Sequence, residues 1–69
     1  MAKTRYSVWV PAGAENEKEV CKTIMTGADF RDAVMEGNPF GECVSFLAEE
    51  SAGNELMERF PGFQWKSYK

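Results

Sequence analysis

The chain contains no histidine among its 69 residues. This removes the commonest general base and metal ligand, every Ser-His or Cys-His nucleophile pair, and any imidazole switch between pH 5 and 8. Cysteine is nearly as scarce. Cys21 and Cys43 are too few for a disulfide framework, their spacing fits no metal or redox motif, and without histidine they cannot complete a tetrahedral zinc shell within one chain. They read as reduced, largely buried thiols acting as small hydrophobes, with a Cys21–Cys43 bridge as the lesser reading. The glycines at 13, 27, 37, 41, 53 and 62 are scattered and form no phosphate-cradling motif. No metal and no cofactor are therefore expected.

Long apolar runs are also missing. Nothing approaches the ~20 residues of a membrane span, so no membrane partner is expected. Lys3, Arg5, the stretch Tyr6 to Val10 and Ala12-Gly13-Ala14 mimic a secretory leader, but its apolar region needs roughly 7–15 residues. The expectation is a cytoplasmic protein. Carboxylates remain as acid–base candidates, yet a catalytic carboxylate needs a pocket that shifts its pKa, and so short a chain has little interior to build one. Glu49-Glu50 and Asp29 with Asp32 read as solvated surface, and no enzymatic activity is expected.

What is present is apolar and aromatic: 43% hydrophobic residues, with five Phe, two Tyr and two Trp. That suffices for one small compact domain over residues 1–69, although a chain this short buries only ~60% of its unfolded surface. The net charge of −3 hides a division. Residues 14–58 hold all eleven acidic residues against Lys18, Lys22 and Arg31, while the flanks hold Lys3 and Arg5 on one side and Arg59, Lys66 and Lys69 on the other.

Thr4 to Val10 alternates with period two and meets Pro11 and Gly13, which predicts a strand with Tyr6, Val8 and Val10 on one face. Trp9 then falls with Arg5 and Ser7 on the more polar face. Residues 15–25 place Val20, Cys21, Ile24 and Met25 at helical spacing behind Glu15, Glu17 and Glu19, predicting a helix that ends near Gly27. Between 26 and 37 the capping-box spacing of Thr26 to Asp29, with Gly37 as terminator, favours a second short helix. A strand feeding a Gly37-Asn38-Pro39 turn is the alternative. Residues 40–48 read as a strand. Ser51 to Phe60 reads as a helix capped by Ser51 or Asn54, and Phe63 to Tyr68 as a last strand with Gln64, Lys66 and Tyr68 on one face. The fold class is α+β: a small, mainly antiparallel sheet including both terminal strands, with two to three short helices on one face. Its order is βααβαβ or, if the ambiguous segment is a strand, a ferredoxin-like βαββαβ.

By elimination the expectation is a non-catalytic protein-interaction module, an inhibitor or regulator that occupies a surface of a larger protein. Phage-encoded inhibitors of host or defence machinery, anti-CRISPR proteins among them, fall in this size class, which is an argument from size alone. The candidate contact residues are an acidic face of Glu42, Glu49, Glu50 and Glu55, facing a basic surface of the partner of the kind that binds nucleic acid, with Trp9, Phe40, Trp65 and Tyr68 as aromatic anchors. The plainer reading of the acids is a solvated face that keeps a small domain soluble. The alternative function is single-stranded nucleic-acid binding, with Arg5, Trp9, Lys66 and Tyr68 on one exposed sheet face near Lys3 and Lys69. Most of these rings would then be plain core in the competing view. A homodimer through an exposed terminal strand edge is the third expectation.

Overall fold

A computed structural model describes residues 3–68. The elements run β1 (Thr4–Pro11), α1 (Glu17–Thr26), β2 (Arg31–Asn38), β3 (Gly41–Ala48), α2 (Glu50–Arg59) and β4 (Gln64–Tyr68). The four strands form one antiparallel sheet in the order β2-β3-β1-β4, so both terminal strands belong to it and β1 is central. Among the described residues no helix is long and apolar enough to cross a membrane.

The period-two pattern of β1 does what it predicts. Tyr6, Val8 and Val10 are buried, and so are Phe46 and Val44, directly across from Tyr6 and Val8 on β3, and Ala48 across from Thr4. Val20, Cys21 and Ile24 of α1 and Leu56 of α2 close over them, with Phe60 at the end of α2. The core therefore lies between the helices and one face of the sheet. Tyr6 stacks on Phe46 with centroids 5.5 Å apart, and Phe30 meets Phe46 edge-on at 5.2 Å. Such pairs contribute about 0.5–1.5 kcal/mol beyond their buried area. Gly53 on α2 lets the helix settle onto Tyr6, since a Cβ there would overlap the Tyr6 ring. The Tyr6 hydroxyl beneath it is buried without a hydrogen-bond partner.

The favoured helix over the ambiguous segment is overturned. Residues 31–38 are strand β2, and the order is βαββαβ. Two local features outweigh the capping-box spacing. Asn38 Oδ1 accepts the Phe40 amide at 2.8 Å, an Asx turn with Pro39 at its second position, and this closes the β2–β3 hairpin. At the other end the register slips by one between Arg31 and Val34, a β-bulge in which Asp32 adopts φ 52°. Aspartate tolerates that left-handed conformation better than most residues. The cap of α2 also differs from expectation: Glu49, not Ser51 or Asn54, takes the N-cap position, with no side-chain capping bond.

Candidate functional site

The sheet face away from the helices is uncovered, and the register defines what it carries. Arg5 lies between Leu47 and Tyr68, Ser7 between Ser45 and Lys66, and Trp9 between Cys43 and Gln64. Strand β2 extends these three rows with Arg31, Val34 and Glu36. The set Arg5, Trp9, Lys66 and Tyr68 is thus brought onto one face. Lys66 Nζ sits 5.4 Å from the Tyr68 ring centroid, and the Tyr68 hydroxyl is 3.3 Å from Ser7 Oγ. Trp9 is seated by Gly41. A Cβ at Gly41 would stand 2.8 Å from Trp9 Cζ2 and 2.6 Å from the Val10 carbonyl, so the indole rests on bare backbone. Nothing in the sequence marks Gly41 as more than a turn residue; only the pairing Pro11↔Gly41 reveals it.

The acidic set does not assemble in the same way. Glu42 belongs to the helix side and accepts the Cys21 thiol at 3.2 Å. Burial first, and then the Glu42 carboxylate, push that thiol up to about 11 from its ordinary 9.0. Glu49 is half-buried at the start of α2, while Glu50 and Glu55 are exposed on that helix. Glu19 on α1 meets Arg59 at 3.6 Å, an exposed pair of small energetic weight. The aromatic anchors separate as well. Trp9 and Tyr68 share the open face, and Phe40 projects from the hairpin tip with 80% of its surface exposed. Trp65 turns to the helix side, where its Nε1 donates to the Phe60 carbonyl at 2.8 Å and ties β4 to the end of α2. Lys69 lies outside the described residues.

The cysteines are unbridged and on opposite sides of the sheet. Cys21 is buried as expected, but Cys43 is exposed, because its odd position on β3 points to the uncovered face. No cluster of three metal-ligating side chains occurs among the described residues. The cleft between α1, α2 and Phe30 measures about 230 Å³ and the one at the start of β2 about 340 Å³, below and at the lower end of the ~300–1,000 Å³ of ligand pockets. The cleft at the start of β2 mixes Lys3 and Arg31 with Asp29, Glu49 and Glu55, so it favours neither charge sign. Comparison with known protein families, curated proteins and solved structures finds no match to this chain.

Proposed function

We propose that the protein is a non-catalytic binding module, an inhibitor or regulator that occupies a surface of a larger protein through its open sheet face. The fold fits a ferredoxin-like split βαβ plan, with both helices on one side of the sheet and the other side uncovered. The observation that carries the reading is the gathering of Trp9, Tyr68, Arg5 and Lys66 on that uncovered face. Trp, Tyr and Arg are the residue types that dominate interface energetics. Three rows of four residues make a face smaller than the ~20–30 residues of a standard interface, so these anchors must supply most of the affinity. Phe40 at the hairpin tip extends the contact. Arg5 and Lys66 are the charged residues of β1 and β4 on that face, with Glu36 two strands away on β2, so the fitting partner presents acidic groups. This moves the contact away from the acidic helices to the opposite side of the molecule.

A second reading, single-stranded nucleic acid on the same face, is favoured by the Lys66–Tyr68 stack on the face that also carries Trp9, since bases stack on aromatics flanked by cations. One experiment separates the two. Tagged protein is used for affinity capture from source-cell lysate with and without nuclease, and beside it labelled single-stranded oligonucleotide is titrated across a salt series. A partner that survives nuclease and is lost with Trp9→Ala supports the protein reading. Oligonucleotide binding whose log–log salt slope is about −2, the value for roughly three phosphate contacts, supports the other. Capture that is indifferent to Trp9→Ala and Arg5→Glu overturns the open face as the working surface.

A further inference from the structure

The two edges of the sheet are guarded differently. Strand β4 is short, five residues, and carries Lys66; charge and brevity are the usual defences of an edge. Strand β2 is eight residues long and exposed along nearly all of it; Arg31, Asp32 and the bulge guard its start and Glu36 follows, but no lysine or proline lies within and its middle is apolar. Its two large apolar residues, Val34 and Met35, are 50% and 44% exposed on opposite faces of the edge. The bulge twists only its first third and leaves Val34 to Asn38 regularly paired with β3.

We propose that β2 pairs antiparallel with β2 of a second copy of this chain, about a two-fold axis at Val34, joining two four-stranded sheets into one of eight. The register argues for this axis. Across from β3 residues 43, 45 and 47 stand Glu36, Val34 and Arg31, because the bulge brings Arg31 into step with them. A two-fold axis at the middle position sets Val34 against its own copy. It also sets Glu36 opposite Arg31 of the second copy, and Arg31 opposite Glu36, on the same face. On the helix side Met35 then faces the second copy's bulge, where Ala33 already packs against the core. Charge and size on the open face are thus self-complementary about one axis, which is what an isologous contact requires, while on the helix side the bulge sets Asp32 beside Ala33 against Met35. Without the bulge, Arg31 would fall on the helix side and the match would fail. A single strand pair buries less than a standard interface, so the association is weak and concentration-dependent. Arg31, Val34 and Glu36 form the outermost column of the same open face, so the pairing extends that face beyond β2 and leaves Trp9, Arg5, Lys66 and Tyr68 on β1 and β4 uncovered.

The test is sedimentation velocity of nuclease-treated protein over a concentration series, with circular dichroism to verify that each variant is folded. The expected result is a monomer–dimer equilibrium that Val34→Lys abolishes. Arg31→Glu and Glu36→Arg should each weaken it about tenfold by setting like charges across both symmetric pairs, and the double variant should restore it. The restoration shows that a folded chain, not a damaged one, underlies the single losses. A monomer at all accessible concentrations overturns the proposal. So does a dimer indifferent to Val34→Lys, or one that the double charge swap leaves as weak as the singles.

Discussion

The two faces of one sheet carry opposite assignments, and β1 contains both. Its even positions, Tyr6, Val8 and Val10, are sealed under the helices, while Arg5, Ser7 and Trp9 look outward from the same eight residues. Alternation in a strand therefore separates what holds this domain together from what is left to act, position by position. Substitutions on the two faces should behave as two distinct populations.

The closed face should break first. Phe46→Ala removes the ring that both Tyr6 and Phe30 pack against and should cost about 3–5 kcal/mol, most of the stability of so small a domain, as read by urea unfolding. Gly53→Ala comes next and reverses the usual rule. In an exposed helix the change gains about 1 kcal/mol, but here the new methyl meets the Tyr6 ring, and a net loss of about 1–3 kcal/mol is expected in thermal melts. Tyr6→Phe should raise stability by about 1 kcal/mol, because the hydroxyl it removes is buried and unpaired. On the open face, Arg5→Ala and Lys66→Ala should leave unfolding within about 0.5 kcal/mol of the parent while weakening partner capture.

The cysteines carry the same comparison at the smallest energetic scale. At pH 8 iodoacetamide should modify exposed Cys43 and spare Cys21, giving a single adduct by mass spectrometry. Folding favours the protonated Cys21 thiol, since its pKa rises from 9.0 to about 11. The stability contributed by that preference is complete below pH 9 and is lost as pH climbs toward 11. Rapid modification of Cys21 at pH 8 would contradict the buried thiol–carboxylate contact.

Much of this was legible from residue order alone. Alternation in β1 and β4 identifies the strands, their faces and the odd placement of Trp9, and the apolar spacing of Val20, Cys21 and Ile24 identifies α1. Strand β2 was not legible. Its local sequence satisfies helical spacing, and the decision rests on an Asx turn at Asn38 and on pairing with β3, a partner that local pattern cannot see. Among the candidate contact residues, the open-face group follows directly from alternation once β1 and β4 pair. Glu42 and Trp65 do not, because one is drawn inward by Cys21 and the other by the Phe60 carbonyl, contacts that link distant elements.

The central position of β1 also sets the order of assembly. Its partners on β3 lie 30 to 44 positions ahead, from Pro11↔Gly41 to Thr4↔Ala48, and Arg5 pairs with Tyr68. The β2–β3 hairpin closes over a two-residue turn and can form within ~1–10 μs. Strand β1 must wait for β4, which is synthesised after it. A nascent chain stalled before residue 64 would hold Tyr6, Val8 and Val10 without β4 beside them, so protease protection of β1 should appear only late in translation.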